Sequence, residues 1–142
     1  LEVGCGLGGG ARSLAALLRP EAWHAVDSSS RSIAACRRWH ARLLLPLPVT
    51  YAVQDAALLG RALGRGAFDV ALLVQSAHAV VDARGLCEGL GQVLRPGGLL
   101  LLADHFRPRR WGDLEARLGE AGLRCEQLED VTPELAHPHR LT

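Results

Sequence analysis

The sequence predicts an α/β domain built around a mostly parallel sheet, and three observations carry that prediction. Apolar runs bounded by Gly, Pro, Asp or Ser alternate with segments of helical period along the chain, the signature of successive β-α units. A glycine-rich stretch from Gly4 to Gly10 separates the first apolar run from the first helical one. Two runs, Phe68 to Val74 and Leu99 to Ala103, are almost continuously apolar, as strands covered on both faces are.

Leu1-Glu2-Val3 reads as the end of strand one, followed by a helix from about Gly9 to Leu18 with Ala11, Leu14, Ala15 and Leu18 on one face. Pro20 stops it. Ala22 to Val26 is strand two, and Ser28 to Ser30 offer N-cap hydroxyls to a helix ending near Arg42, ahead of Pro46-Leu47-Pro48. Thr50 to Val53 is strand three. Ala56 to Gly66 carries glycines that make it at best a short helix, and Phe68 to Val74 is strand four. Arg84 to Leu94 forms a helix with Leu86, Leu90, Val93 and Leu94 inward. Pro96-Gly97-Gly98 is expected to make a tight turn into strand five, Leu99 to Ala103, whose apolar character predicts a central position. A last helix, Asp113 to Ala121, buries Leu114, Leu118 and Ala121 and leads to a sixth candidate strand at Arg124 to Leu128.

The chain has 142 residues with 49% hydrophobic content, enough for a single compact domain. A net charge of +1 with interspersed signs supplies no strong field for nucleic acid or an anionic membrane and leaves small-molecule partners open. Cys5, Cys36, Cys87 and Cys125 form no C-x-x-C pair, so neither a zinc site nor a disulfide framework is predicted and a reducing, cytoplasmic setting is expected. No run approaches the ~18 apolar residues of a membrane span. The absence of Met, with Leu1 already in a strand, predicts an N-terminus cut from a longer chain. His137-Pro138-His139 and the Arg107, Arg109, Arg110 cluster are read as solvated, the latter with the alternative of receiving an anionic substrate.

The chemistry concentrates at Glu2-Val3-Gly4-Cys5-Gly6-Leu7-Gly8-Gly9-Gly10. Glycines between a strand and a helix let backbone amides approach a nucleotide-like ligand closely. Gly4-x-Gly6-x-x-Gly9 also satisfies the dinucleotide fingerprint. Glu2 favours a ligand with a cationic amino group, such as the methionine end of S-adenosylmethionine, because a carboxylate there repels a pyrophosphate. Asp27, at the end of strand two, suits two ribose hydroxyls and fits both ligands equally.

Leu1 to Gly9 is similar to the first motif of class I, Rossmann-like S-adenosylmethionine-dependent methyltransferases, and Ala25-Val26-Asp27-Ser28 to the second. Val53-Gln54-Asp55-Ala56 resembles their adenine-contacting turn, Phe68-Asp69-Val70 the opening of strand four, and Leu94-Arg95-Pro96-Gly97-Gly98 the turn before strand five. The resemblance implies a doubly wound sheet of order 3-2-1-4-5-7-6, with strand seven and an N-terminal cap missing from this chain. It further implies S-adenosylmethionine held by Glu2, Gly4, Gly6, Gly8, Asp27, Ser28, Asp55, Ala56 and Gln75. Gln75 to Asp82 and Leu102 to Phe106 resemble the sugar-, sterol- and quinone-type members, although the first of these segments usually begins with Glu where this chain has Gln75.

His78 and Asp104 lie just past strands four and five, where ligands bind in open α/β sheets. A histidine oriented by a carboxylate suits removal of a proton from a hydroxyl acceptor. The competing expectations are an NAD-dependent oxidoreductase, favoured by the glycines and Asp27, and a catalytically silent binding module, favoured by Gln75.

Overall fold

The computed structural model describes residues 1–43 and 46–132. Five parallel strands, β1 (Glu2–Val3), β2 (Trp23–Asp27), β3 (Val49–Val53), β4 (Phe68–Val74) and β5 (Leu94–Ala103), form one sheet of order β3-β2-β1-β4-β5. Chain order reverses its direction of travel at β1, so the loops after β1 and β4 face each other across the switch point where such sheets bind ligands.

Helices cover both faces. On one side lie α1 (Gly9–Leu18) and α2 (Ser30–His40), burying Ala11, Ala15, Ile33 and Cys36 against Ala25, Val49 and Tyr51. On the other lie the single turn α3 (Leu59–Ala62), α4 (Ala83–Val93) and α5 (Pro108–Glu120), which pack Leu59, Leu86, Leu90, Val93 and Leu114 against Val3, Val26 and Leu73. The N-cap of α2 is Ser29, whose Oγ accepts from the Ser32 amide at 3.2 Å. Asp82 caps α4 in the same way through the Gly85 amide at 2.9 Å.

Several expectations are corrected. Among the described residues strand five is not central: there β5 pairs only with β4, and Leu99 and Leu101 are 53% and 51% exposed while Leu100 and Leu102 turn inward. α1 and α2 pack over β2 and β3, so no described helix covers that face of β5, which shows the two-residue alternation of a half-buried strand. Pro96-Gly97-Gly98 is no free turn but a bulge inside β5, since Phe68 pairs Leu94 and Val70 pairs Leu99, with Gly97 at φ 76°. Residues 124–128 are not a strand. Leu18 is exposed, because Ala11 and Ala15 define the buried stripe of α1 and the helix ends at Arg19 in a left-handed turn. The last helix starts five residues early, with Pro108 in its first turn, where a missing N–H costs nothing.

Leu73→Ala, at a fully buried position of β4, is expected to cost about 2–5 kcal/mol in urea unfolding. Leu101→Ala, on the open face of β5, is expected to cost about 1 kcal/mol or less.

Candidate functional site at the carboxyl edge of the sheet

All five strands are parallel, so the loops that follow them gather at one edge. The first loop carries three left-handed glycines, Gly4 (φ 76°), Gly6 (φ 53°) and Gly8 (φ 71°). At Gly4 a side chain has no room, because a Cβ would run into Cβ of Ser76, which follows β4. Ser76 Oγ donates to the Val3 carbonyl at 2.8 Å and ties the two loops together. Gly8, the N-cap of α1, is backed by Cys36 Sγ, which a Cβ would approach to 2.8 Å. Gly6 differs from both: nothing lies within 4 Å of its missing Cβ. The loop is closed from behind at Gly4 and Gly8 and open at Gly6.

Asp27 fixes that open glycine. Its Oδ2 accepts from the Gly6 amide at 2.8 Å and its Oδ1 from the Ser29 amide at 2.9 Å. A carboxylate has about four lone-pair sites, so each oxygen retains one for a ligand. Ser28 lies exposed beside it. Asp55 is exposed and accepts from the Ala57 amide at 2.9 Å, capping the 3-10 turn that starts at half-buried Ala56.

Glu2 sits elsewhere than its reading suggests. It is 6% exposed, its Oε2 accepts from Trp23 Nε1 at 2.9 Å, and its Oε1 lies 3.1 Å from where a Gly10 Cβ would stand. The carboxylate is therefore buried beneath the first turn of α1, where negative charge faces the positive end of the helix dipole. Burial pushes its pKa up, against the opposing pull of the Trp23 hydrogen bond.

A second cluster forms past β4 and β5. His78 Nδ1 lies 2.7 Å from Asp104 Oδ1, and the carboxylate also accepts from the backbone amides of His78 (3.1 Å) and His105 (2.7 Å). The Asp104 side chain has no exposed surface while His78 keeps a third of its own. Burial pushes the Asp104 carboxyl up, but the two amides and the His78 ring outweigh it and hold the group below its ordinary value. Gln75, at a left-handed φ of 52°, bonds His105 Nδ1 through Oε1 at 2.8 Å. Backbone held in this region by a non-glycine residue is strained and gathers at functional sites. Arg110 donates to the His78 carbonyl at 2.6 Å, so one member of the arginine cluster supports the site and stands on α5.

A cleft of about 220 Å³ is lined by Val80, Phe106 and Leu114 together with Arg110, Asp113 and Arg117. Sequence reasoning assigned no role to Ser76, His105 or Arg110 in holding this edge together. The signal for His105 was present in its position next to Asp104, whereas nothing local marks Ser76, whose partner is Val3, far away along the chain. His137 and His139 lie outside the described residues. No helix among the described residues is long and apolar enough to cross a membrane.

Residues 1–100 match a family described as a methyltransferase domain. The chain is 34% identical over 136 residues to a probable phthiotriol/phenolphthiotriol dimycocerosates methyltransferase 2 of Mycobacterium ulcerans, covering 95% of this chain and 50% of that protein. It is 38% identical over 109 residues to a fatty-acid O-methyltransferase of Mycolicibacterium smegmatis, covering 77% of this chain and 37% of that protein. The chain thus spans half or less of the length of these two relatives. Among solved structures, phosphoethanolamine N-methyltransferase 2 of Haemonchus contortus in complex with S-adenosyl-L-methionine shares the fold, with a TM-score of 0.77 at 23% identity over 95% of this chain and 35% of that one.

Because the folded-state pKa of Glu2 is raised above 4.5, its protonation favours the folded state, an effect complete below about pH 4.5 and lost as pH rises through the folded value. Glu2→Gln is therefore expected to gain stability relative to the parent as pH rises from 4 to 7, read by urea unfolding at both. A difference that does not change with pH overturns the account.

Proposed function

The chain belongs to the methyltransferase domain family, and from that premise we propose that it binds S-adenosylmethionine at the carboxyl edge of the sheet and serves methyl transfer to a small-molecule acceptor. The observation that carries the reading is the contrast among the glycines. Gly4 and Gly8 are backed by protein, while Gly6 opens onto empty space beside a carboxylate with unused acceptor capacity. Asp27 takes the ribose hydroxyls, the glycine-loop backbone at Gly4, Gly6 and Gly8 leaves room for the methionine end, and Ser28, Asp55, Ala56 and Gln75 border the remainder. Glu2 acts from below, setting the potential under the first turn of α1. Family membership lends no support to the nicotinamide alternative.

The cofactor, when bound, supplies a methyl group already electrophilic on its sulfonium. What is left to the protein is to orient the acceptor and to accept a proton if that acceptor is a hydroxyl. With Nδ1–H donated to Asp104, His78 presents Nε2 as the base, and the buried carboxylate stabilises the imidazolium that results. Asp104 is gripped by two backbone amides, so the ring it holds is held rigidly. The lipid names of both relatives support an acceptor with a lipid-like body.

Calorimetric titration with S-adenosylhomocysteine tests the cofactor reading. Binding is expected, weakened by roughly 1.5–3 kcal/mol in Asp27→Ala and abolished in Gly6→Val, with the circular dichroism of both variants preserved. Unchanged affinity in either overturns the assignment.

Turnover on a hydroxylated acceptor tests the pair. His78→Ala is expected to slow it by about 10²–10⁴-fold with cofactor affinity unchanged. Asp104→Asn is expected to cost nearly as much, and the double variant little more than the worse single one. Additive losses overturn the pair, and cofactor binding without turnover on any acceptor favours the silent module.

A further inference from the structure

His78 and His105 both turn Nδ1 toward the same oxygen, Asp104 Oδ1, at 2.7 and 3.4 Å. Their rings stand 4.3 Å apart. Among the described residues these three form a group in which one donor atom from each lies within 4.8 Å of the others. A zinc-class ion bound tetrahedrally at 2.0–2.1 Å separates its donors by roughly 3.3 Å. The two separations from Asp104 Oδ1, 2.7 and 3.4 Å, bracket that value, and the third lies within 4.8 Å. Gln75 Oε1, 2.8 Å from His105 Nδ1, is placed to complete the set, as is water.

The geometry points to a transition-metal site formed by His78 Nδ1, His105 Nδ1 and Asp104 Oδ1. Two imidazoles and one carboxylate suit Zn²⁺ or its first-row neighbours and not Mg²⁺ or Ca²⁺, which prefer all-oxygen sets. The carboxylate is preorganised, since the amides of His78 and His105 fix it whatever the rings do. The ion reaches the site from the His105 side, where that side chain is 72% exposed.

Occupancy has a chemical consequence, and this part rests on the reading of His78 as a base. A neutral imidazole carries one proton. With the ion on Nδ1, that proton moves to Nε2, the atom that must be bare to accept one from a hydroxyl. No net proton is released, but the base is spent. The same three side chains therefore support two exclusive states, a hydrogen-bonded pair competent for proton removal and a metal-bound state that is not.

The test is a Zn²⁺ titration of the chain followed by calorimetry and by imidazole ¹⁵N shifts. A single equivalent is expected to bind, with the His78 and His105 rings both passing to the form that has metal on Nδ1 and hydrogen on Nε2. His105→Ala keeps the backbone amide that holds Asp104 and is expected to weaken binding by at least about tenfold. Rings that keep their Nδ1–H form at saturating Zn²⁺ overturn the inference without recourse to any variant. So does equal affinity in His105→Ala, or strong thiolate absorption on Co²⁺ substitution, which would move the ion to cysteines. A parallel titration with S-adenosylhomocysteine keeps the two readings apart: its failure removes the cofactor assignment and leaves the metal result standing.

Discussion

The site depends on how closely the loop after β4 approaches the loop after β1. Ser76 fills the space where any side chain at Gly4 would stand, and its hydroxyl closes on the Val3 carbonyl. That contact requires a left-handed Gly4 on one side and a left-handed Gln75 on the other. Gly4 adopts that conformation at no steric cost, and Gln75 carries strain of order 1–3 kcal/mol. The strain is placed where it bends the chain sharply enough to turn Gln75 toward His105 and His78 toward Asp104. A β-branched residue in place of Gly4 would push the loops apart and separate the glycine loop from the histidine cluster.

The two halves of this edge are built on different principles. The Gly6 side is a backbone surface held from beneath by carboxylates, Asp27 through the Gly6 amide and Glu2 under α1. It presents bare backbone and empty space beside the Asp27 carboxylate. The His78 side presents ring nitrogens around one buried carboxylate, and Arg110 anchors its backbone from α5. The first suits recognition of a fixed molecule by shape and polarity, and the second suits chemistry on a variable one.

Most of the sheet was legible because strand and helix periods differ and glycines mark the turns. Ala11 with Ala15 and Leu86 with Leu90 appear inward where spacing puts them. The pairing of His78 with Asp104 followed from their places after adjacent strands. Three things were not legible, each for a physical reason. Leu99 and Leu101 look like core in sequence, but hydrophobicity does not reveal whether a helix covers a given face. Glu2 was read by its distance along the chain from the glycines, whereas the alternation of strand side chains turns it beneath α1 toward Trp23. Asp69 and Arg95 were quoted as parts of separate motifs, yet they form an exposed ion pair at 2.6 Å beside the β5 bulge, away from the site edge. Such a pair contributes little energy.

The grip on Asp104 comes from main-chain amides at His78 and His105, and this determines how the site can vary among descendants of this chain. Side chains at position 105 can be exchanged freely without loosening the carboxylate, because every residue except proline brings the same N–H. Lineages can therefore gain or shed the second imidazole while the first stays oriented, so any function that needs both rings is free to come and go upon a fixed one that needs only His78.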